Sequence, residues 1–423
     1  MTRRTLTVWF NDTRIGELSS LKGLWRFDYS PEWRASDDAF DLSPGLPRAQ
    51  GTIVDGADQR PVQWYFDNLL PEEGLRELLA RDAGIAQQDA FGLLAFYGAE
   101  SAGALTLLPQ EEEPATGELR PLDDKTLSRR IGALPRVSLV AGAPKRMSLA
   151  GAQHKLPVVV EEDQLWEPVG QRASTHILKP DHPDTEHWPH TVVNEWFVMQ
   201  LAHRLGLSVP ETKRRCVPQS VYLVERFDRA RHHKEGGVDR RHVIDACQLL
   251  SLDKVFKYQG ARLPTLARAI DLCGRKAQAR MSLFRWLVFN LLVGNDDAHL
   301  KNLSFFATPR GYELAPFYDL LCTTVYHQPP GDWSNVTLTW PLGTARRFSE
   351  VRREDVLNAG LALGLPAKLG ERIVKELATT IVAKADALIE EAIAGEAPVS
   401  AGEARLLRQI RYVVVAEMAK QLV

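Results

Sequence analysis

The first part of the chain alternates hydrophobic and polar residues at a period of two. Segments 6–10 and 15–18 flank a polar turn and predict an opening hairpin, and segment 24–29 predicts a third strand. The spacing changes at residues 71–83, where apolar positions and a proline in the first turn predict a helix. The pattern therefore indicates a small β-rich N-terminal unit that ends near residue 108.

Strand patterns return after an acidic, proline-bounded segment at 109–117, which is the best candidate for a linker. Three short apolar runs predict further strands, at residues 156–160, 175–179 and 221–224. Between the last two runs, residues 194–205 have the spacing of an amphipathic helix. Helical spacing dominates from residue 239 onward, as far as a final segment at 401–422.

The most apolar helical segment, at residues 281–293, predicts a buried helix that Gly294 ends. A polar loop follows it, and then a hairpin with strands at 303–306 and 312–314. We therefore expect an α+β chain in which a β-rich lobe precedes an all-helical C-terminal lobe. The predicted divisions are an N-terminal β-rich domain at 1–108, a linker and connecting segment at 109–146, a β-rich lobe at 147–229 and a helical lobe at 230–423.

Composition narrows the class of protein. The chain has 423 residues, of which 44% are hydrophobic and 25% charged, as expected for a globular protein of two or three domains. A formal net charge of −2 does not indicate nucleic-acid binding by the chain as a whole. Basic residues cluster at 213–215 and 226–242, which we interpret as solvated loops in preference to a charged docking surface.

The cysteines and the N-terminus bear on the cellular compartment. The 4 cysteines are far apart and lack the spacing of metal ligands, so we expect free thiols in a reducing compartment. The N-terminus lacks the apolar core of a signal peptide, and no apolar run reaches the roughly 18 residues that span a bilayer. A cytoplasmic enzyme is the expectation.

The loop after the buried helix carries the candidate chemistry. Asp297 and Asn302 are five residues apart in it, and Asp319 follows the hairpin. This order is typical of a kinase catalytic loop and its metal-binding aspartate. Asp297 is the candidate base, and Asn302 and Asp319 are candidate ligands for Mg²⁺, which prefers oxygen donors. Asp296 competes as the base, but only Asp297 has the spacing to Asn302.

Further candidates for phosphate contact surround this loop or precede it. His299 and Lys301 flank the loop, and Lys179 ends a predicted strand, as does the lysine that neutralises ATP phosphates in kinases. Glu195 begins the next helix, either as the ion-pair partner of Lys179 or as a charge that stabilises the helix N-terminus. The small residues of 147–155 would let backbone N–H groups approach a phosphate, although the run fits neither Walker A nor the usual glycine loop.

Six motifs occur together along the chain. They are Ser-Leu-Ala-Gly-Ala-Gln-x-Lys at 148–155, Thr-His-Ile-Leu-Lys-Pro at 175–180, Asn-Glu at 194–195, Val-Glu-Arg-Phe-Asp-Arg at 224–229, Gly-Asn-x-Asp-x-His-x-Lys-Asn at 294–302 and Pro-x-Tyr-Asp-Leu at 316–320. Jointly they resemble the HipA family, bacterial serine/threonine kinase toxins of type II toxin–antitoxin systems. The N-terminal unit also resembles the small domain that precedes the HipA kinase core, so the resemblance covers nearly the whole chain.

The resemblance implies a two-lobed, protein-kinase-like fold and transfer of phosphate from ATP, with Mg²⁺, to a serine or threonine. It implies Asp297 as the base and Asn302 and Asp319 as the metal ligands. Ser148 matches the serine that family members autophosphorylate, which silences the enzyme. The residues implied as ATP contacts are Ala150, Gly151, Ala152, Gln153, His154, Lys155, Lys179, Glu225, Arg226, Phe227 and His299.

The resemblance also implies partners. The substrate would be an aminoacyl-tRNA synthetase, whose phosphorylation stops translation and growth, and a HipB-like helix-turn-helix antitoxin would link the chain to DNA. His154 departs from the family, in which many members carry an acidic residue there. A titrating histidine at this position would make ATP affinity depend on pH near neutrality.

Two other functions stay open from the residues. A small-molecule phosphotransferase of the aminoglycoside or choline kinase type uses a similar Asp-x4-Asn loop. A chain without catalytic activity could serve as a corepressor in an assembly of antitoxin and DNA. The N-terminal unit and the 147–155 motif disfavour the first function. The intact set of Lys179, Asp297, Asn302 and Asp319 disfavours the second.

Overall fold

The computed structural model describes residues 3–147, 150–151, 153–231, 238–327, 329, 331–395 and 397–423. Within these ranges the chain forms an N-terminal unit, a β-rich lobe and a larger, mainly helical lobe. The predicted mixture of α and β structure is confirmed. None of the helices in these ranges combines the length and the apolar character needed to span a membrane.

The N-terminal unit is an antiparallel sheet covered by helices. Its strands are β1 (Arg4–Phe10), β2 (Thr13–Leu21), β3 (Leu24–Tyr29), β4 (Thr52–Val54) and β5 (Leu105–Pro109). Its helices are α1 (Pro31–Ala35), α2 (Pro61–Asp67), α3 (Glu73–Ala83) and α4 (Ala90–Tyr97). The strand order is β4-β3-β2-β1-β5. The predicted hairpin, third strand and helix are confirmed by the pairing of β1 with β2, by β3 and by α3.

The β-rich lobe is one six-stranded sheet with two helices. Its strands are β6 (Glu118–Pro121), β7 (Leu156–Glu161), β8 (Gln164–Val169), β9 (His176–Pro180), β10 (Thr212–Cys216) and β11 (Ser220–Glu225). Its helices are α5 (Asp124–Gly132) and α6 (Thr191–Arg204). The strand order is β10-β11-β9-β7-β8-β6. Since β6 and α5 come from the segment at 109–146, that segment adds structure to the lobe as well as connecting it to the N-terminal unit.

Both basic clusters differ from their prediction as solvated loops. Residues 213–215 belong to β10, which pairs with β11 at the edge of the sheet. In the second cluster the side chains of Arg226 and Arg229 are only 2% and 3% exposed. Glu100 and Asp228 neutralise these two arginines, which is why a run of basic residues can be buried here. The interpretation as solvated loops is therefore wrong for these positions.

The helical lobe contains seven helices and several short strands within the described ranges. The helices are α7 (Ala246–Leu249), α8 (Leu263–Leu272), α9 (Lys276–Leu292), α10 (Arg353–Ala362), α11 (Ala367–Ala394), α12 (Ala401–Gln409) and α13 (Ala416–Leu422), with a π-helical turn at Ile410–Val415. The strands are β12 (Arg229–Arg231), β13 (Val238–Arg240), β14 (Val243–Asp245), β15 (Ser304–Thr308), β16 (Gly311–Leu314), β17 (Thr337–Leu342) and β18 (Ala345–Arg347). The predicted hairpin is formed by β15 and β16.

Helix α9 fixes where the candidate catalytic loop begins. Phe284, Trp286 and Phe289 are fully buried, as the apolar run predicted. The helix is followed by Gly294 with φ of 64°, a left-handed conformation that favours glycine. A side chain at Gly294 would also collide with Thr324. The exit of the chain from α9 is therefore tightly defined.

One hydrophobic core spans the N-terminal unit and the helical lobe and also includes residues of α6 and β11, whereas other strands of the β-rich lobe pack around a second, smaller core. At the boundary, Phe40 stacks on His242 with 4.6 Å between ring centroids. The Tyr65 hydroxyl lies 3.1 Å from Nε2 of the same histidine. The N-terminal unit is thus packed firmly on the helical lobe. The division of the chain after residues 108, 146 and 229 stays a prediction.

Candidate active site

A cleft of about 930 Å³, including its open mouth, lies between the β-rich and helical lobes. The N-terminal unit contributes to its walls as well. Most of the predicted site residues in the described ranges line the cleft, but Asp297, Gln153 and His154 are not among the lining residues. Asp297 lies beside it, because its Oδ1 is 4.0 Å from Nε2 of the lining residue His299.

Lys179 joins both lobes at the back of the cleft. It lies on β9, and its Nζ is 2.8 Å and 3.1 Å from the two carboxylate oxygens of Glu195 on α6. The same Nζ also donates to Oδ1 of Asp319. Burial opposes the charge, but Asp319 and Glu195 together raise the pKa of Lys179 well above its ordinary value. Of the two roles left open for Glu195, the structure shows the ion pair with Lys179.

Asp319 is held in an unusual backbone conformation. Its φ is 56°, a left-handed value that costs a residue with a side chain about 1 kcal/mol or more. Tyr318, the residue before it, is held in place because its hydroxyl donates to the carbonyl of Lys301 at 2.7 Å. Burial opposes ionisation, but Lys179 and Lys155 lower the pKa of Asp319 to about 2. The carboxylate is therefore charged and directed into the cleft, where it lines the wall.

The loop between α9 and β15 is braced by its own amides. Asn290 accepts a hydrogen bond from the side-chain amide of Asn295 at 2.7 Å, and Asn295 Oδ1 accepts from the backbone N–H of Asp297 at 3.0 Å. Nδ2 of Asn302 donates to the carbonyl of Asp297 at 2.8 Å. Because Nδ2 of Asn302 is used in this way, its Oδ1 is the atom available to a cation.

The two neighbouring aspartates of the loop have different surroundings. Asp296 is engaged away from the cleft, with its Oδ2 3.0 Å from Nε2 of His327. Asp297 accepts at Oδ1 from the hydroxyl of Tyr258, and its Oδ2 has no hydrogen-bond partner in the described parts of the chain. Partial burial is the main cause that raises the pKa of Asp297 to about 6. Of the two aspartates, Asp297 is the one that lies beside a residue of the cleft wall, and Tyr258 is a neighbour that the sequence did not reveal.

Three of the described residues of the 147–155 motif line the cleft. Ala150, Gly151 and Lys155 line it, and Lys155 donates to the carbonyl of Ala150 at 2.6 Å. Burial and the charge of Lys179 lower the pKa of Lys155 to about 8. Gly151 has φ of 108°, and a Cβ there would come within 2.7 Å of Nζ of Lys155. Ser148 and Ala152 lie outside the described residues.

His154 differs from its prediction as an ATP contact. It lines a small cavity against the N-terminal unit, among Leu75, Leu79 and Val140, and its buried Nδ1 has no hydrogen-bond partner in the part of the chain that the structure describes. Burial lowers the pKa of His154, so the ring is neutral near pH 7. The predicted dependence of ATP affinity on the titration of His154 loses its basis, because the ring is not part of the cleft wall. Gln153 also lies outside the cleft wall.

The segment after β11 forms the other end of the cleft. Glu225, Arg226 and Phe227 all line it. The guanidinium of Arg226 is committed elsewhere, since it donates to Asp228 at 2.9 Å and 2.7 Å and to Glu100 at 3.1 Å. A contact between Arg226 and a nucleotide therefore has to use the backbone, whereas Phe227 presents an apolar ring.

Lys301 and His299 both line the cleft but differ in how they are paired. Nζ of Lys301 is bound by Asn68 at 2.7 Å and by Asp245 at 2.9 Å, so its charge is already neutralised within the protein. Burial and the charge of Lys257 lower the pKa of His299 to about 4, and its buried Nδ1 has no hydrogen-bond partner among the described residues. A neutral ring that lines the cleft fits a ligand contact, which the paired Lys301 fits less well.

The N-terminal unit supplies cleft residues that the sequence did not reveal. Glu72 lines the cleft, and its backbone N–H donates to the carbonyl of Gly151 at 3.3 Å. Its side chain pairs with Lys257 at 2.6 Å. Ala102 and Gly103 line the end near Phe227. These residues lie far from the motifs along the chain and carry no local signal, so only the packing of the N-terminal unit brings them here.

The arrangement is that of a protein kinase. A strand lysine is paired with a helix glutamate, a loop carries Asp297 and Asn302, and Asp319 faces the lysine across the cleft. The oxygens of Asn302 and Asp319 are the donors that a hard cation would use, and His299 lines the same wall.

Comparison with known proteins assigns the family. The chain matches the HipA N-terminal domain over residues 6–108 and the HipA-like C-terminal domain over residues 147–385. It is 38% identical over 340 residues to a putative kinase of Sinorhizobium fredii, covering 77% of this chain and 79% of that protein. It is 32% identical over 344 residues to the serine/threonine-protein kinase toxin HipA of Shewanella oneidensis, covering 76% of each. The chain belongs to the HipA family.

The fold agrees with this assignment. A solved structure of the Shewanella oneidensis toxin–antitoxin system, containing HipA, HipB and operator DNA, matches with a TM-score of 0.82 and 27% identity. The match covers 99% of this chain and 97% of that chain. The predicted kinase-like fold and the predicted class of enzyme, a protein serine/threonine kinase, are confirmed.

Proposed function

We propose that this chain uses ATP and Mg²⁺ to phosphorylate a serine or threonine of another protein, as the toxin of a type II toxin–antitoxin pair. The observation that carries the proposal is the cluster of Lys179, Glu195 and Asp319 in the same cleft as Asn302 and beside Asp297. The similarity to a kinase toxin of Shewanella oneidensis supports the toxin role.

The residues of the cleft fit a nucleotide with a magnesium ion. Phe227 offers an apolar surface for a base, and Lys155 and Lys179 offer positive charge for phosphates. No group of three or more His, Cys, Asp or Glu side chains suited to a metal occurs in the part of the chain that the structure describes. An ion held by Asn302 and Asp319 would therefore complete its shell with phosphate oxygens and water, as Mg²⁺ commonly does.

The residues of this chain would act mainly by positioning. Bound ATP with Mg²⁺ would supply the phosphoryl group and neutralise the charge that develops during its transfer. Oδ2 of Asp297 would accept the proton of the substrate hydroxyl, because it has no hydrogen-bond partner in the described ranges. The pKa of Asp297, about 6, keeps this carboxylate ionised at neutral pH while making it more basic than an ordinary aspartate. Glu195 would hold Lys179 against the phosphates.

We extend the proposal to Ser148 as a site of inactivating autophosphorylation. Ser148 lies outside the described residues, so the support is its place in the motif, three residues before Gly151. A phosphoserine carries about −1.5 to −2 charge, which would compete with the phosphates of ATP for the lysines of the cleft. Substituting Ser148→Asp should therefore weaken ATP binding, and an unchanged affinity would remove the electrostatic part of the idea.

The partner and substrate are also proposals. The matched structure contains HipA with HipB and operator DNA, which supports a HipB-like helix-turn-helix antitoxin as a partner and contact with DNA mainly through it. An aminoacyl-tRNA synthetase as the substrate, and a cytoplasmic location, rest on the resemblance of the motifs to the family.

The test is phosphate transfer from γ-labelled ATP in a bacterial lysate, compared between the wild-type chain and Asp297→Asn. We expect labelled protein bands with the wild type and a reduction of about 10³-fold in the variant, the range of general-base catalysis. Phosphoproteomics of the labelled bands would identify the substrate. Label that appears only in metabolites would indicate a small-molecule phosphotransferase. Growth arrest by Asp297→Asn expressed without a partner would exclude the kinase mechanism and favour a corepressor.

A further inference from the structure

The loop at residues 254–258, here named the 254–258 loop, exposes apolar side chains beside the candidate base. Val255 is 66% exposed, Phe256 43% and Tyr258 45%. None of the three lines the cleft, so a nucleotide there does not cover them. Three large apolar residues exposed within four positions are unusual for a surface without a partner.

The exposure does not come from a loosely held backbone. The carbonyl of Lys257 accepts from the backbone N–H of Leu300 in the catalytic loop at 3.2 Å. Nζ of Lys257 is bound to Glu72 of the N-terminal unit at 2.6 Å. The 254–258 loop is therefore fixed against both the catalytic loop and the N-terminal unit, and it presents its apolar side chains in a defined place.

Tyr258 connects this apolar surface to the base. Its hydroxyl donates to Oδ1 of Asp297, and its ring packs edge-on against His299 with 4.9 Å between centroids. This contact occupies one carboxylate oxygen of Asp297 and fixes the side chain. The other oxygen, Oδ2, has no hydrogen-bond partner within the described ranges and is the atom left for a substrate hydroxyl.

We propose that the 254–258 loop is the docking surface for the acceptor segment of the protein substrate, and that Tyr258 is a positioning residue for Asp297. The inference rests on the proposed kinase function. The acceptor hydroxyl has to reach Asp297, which Tyr258 contacts. Two residues of extended chain span about 8 Å and three span about 11 Å, so the Cα atoms of Phe256 and Val255 lie within these distances of the Cα atom of Tyr258. A bound peptide would cover Val255 and Phe256 with residues that lie two or three positions from its own serine or threonine. The partner is therefore a segment that carries an apolar residue two or three positions from the acceptor.

The first test removes the apolar surface and keeps the base. In Val255→Asn/Phe256→Asn, we expect the lysate protein concentration that gives half-maximal labelling from γ-labelled ATP to rise about tenfold, from the lost apolar contact. The KM for ATP should not change, because neither residue lines the cleft. Leu361→Asn is the matched control, because Leu361 is 51% exposed on α10, and it should leave both values unchanged. Labelling by Asp297→Asn is subtracted as background.

The second test separates positioning from docking. Tyr258→Phe keeps the ring and removes the hydrogen bond to Asp297, so we expect the maximal rate to fall about tenfold, the value of one charge-assisted hydrogen bond. The half-saturating protein concentration and the KM for ATP should stay the same. A purely structural role would instead lower the melting temperature and change all three values together.

The results separate this inference from the function on which it rests. Unchanged half-saturation in the double variant, or mapped phosphosites that lack apolar residues two or three positions away, would overturn the docking surface. An unchanged maximal rate in Tyr258→Phe would overturn the positioning role. If the wild-type chain labels no protein at all, the proposed kinase function fails, and the docking inference fails with it.

Discussion

Lys179 and Glu100 each lie at the centre of a buried cluster of opposite charges, but of the two only the cluster around Lys179 presents a partly exposed carboxylate to the cleft. Glu100, from the N-terminal unit, is 1% exposed and pairs with Lys145 at 2.7 Å, with Arg229 at 3.0 Å and with Arg226 at 3.1 Å. In the other cluster Lys179 pairs with Glu195 at 2.8 Å and also with Asp319, whose side chain is 28% exposed.

The difference teaches how one kind of interaction serves two purposes. In the Glu100 cluster every partner is fixed within the protein, and the cluster joins the N-terminal unit to Arg226 at the end of the cleft. Buried ion pairs are weak sources of stability, yet removing one partner is costly because it leaves a charge without compensation. In the Lys179 cluster the residues line the cleft, so a ligand can replace one partner by another. We therefore interpret the first cluster as structural and the second as functional.

Removing Lys179 should have the largest effect, and the effect should be on activity. In Lys179→Met we expect phosphate transfer to fall about 10²- to 10³-fold, the range for loss of one electrostatic contact to a transition state. The free energy of unfolding should change little, because burial already raises the pKa of Glu195 to about 7 and this carboxyl can take up a proton. Labelling from γ-labelled ATP and chemical denaturation measure the two quantities. A variant that unfolds would show that this cluster is structural too.

Removing the charge of Glu100 should affect stability instead. In Glu100→Gln, the cations Lys145, Arg226 and Arg229 lose a common partner, and we expect a loss of about 3–5 kcal/mol in the free energy of unfolding. Burial lowers the pKa of Lys145 to about 8, so Lys145 is the cation that the cluster gives up most readily. Adding Lys145→Met should therefore recover part of the loss.

The double-mutant cycle of Glu100→Gln and Lys145→Met, followed by chemical denaturation, gives the interaction energy directly. Simple addition of the two single effects would argue against a coupled cluster. If Glu100→Gln kept normal stability but lost phosphate transfer, the contrast between the two clusters would fail, because the Glu100 cluster would then be functional.

The sequence predicted best where the pattern and the structure are both local. The apolar spacing of α9 and the alternation of β1 and β2 reappear as helix and hairpin, because each pattern reports which face is buried. The five-residue spacing to Asn302 selected Asp297 as the candidate base. In the structure, Nδ2 of Asn302 donates to the backbone carbonyl of Asp297. Five residues of separation are enough for the chain itself to bring these groups together.

Prediction failed where a residue depends on packing between distant parts of the chain. Glu100 and Tyr258 carry no motif. Glu100 meets Arg226 where the N-terminal unit packs on the rest of the chain, and Tyr258 meets Asp297 within the helical lobe across 39 residues of sequence. The basic residues 213–215 looked solvated, although charged side chains are common on an edge strand such as β10. His154 lies in a phosphate-loop motif, but the N-terminal unit encloses its ring in an apolar cavity.

His242 provides a smaller and reversible test of the boundary between the N-terminal unit and the helical lobe, since it is buried there and has no charged partner among the described residues. Its Nε2 lies 3.1 Å from the Tyr65 hydroxyl, and burial lowers the pKa of His242 to about 4. An unfolded histidine takes up a proton below its ordinary pKa of about 6.5, whereas the folded one resists down to about pH 4.

The contribution of neutral His242 to stability should therefore be lost as the pH falls from about 6.5 to about 4, by about 3 kcal/mol in all. Denaturation at several pH values, compared with His242→Asn, isolates this slope from that of the carboxylates. The variant should be less stable at neutral pH, because it loses the stacking on Phe40, but it should lose less stability on acidification. Equal slopes would show that His242 can be protonated in place. Burial opposes the charge of Glu100, but Lys145, Arg229 and Arg226 hold its pKa well below the ordinary value. Acid in this range should therefore weaken the boundary at His242 before it protonates Glu100.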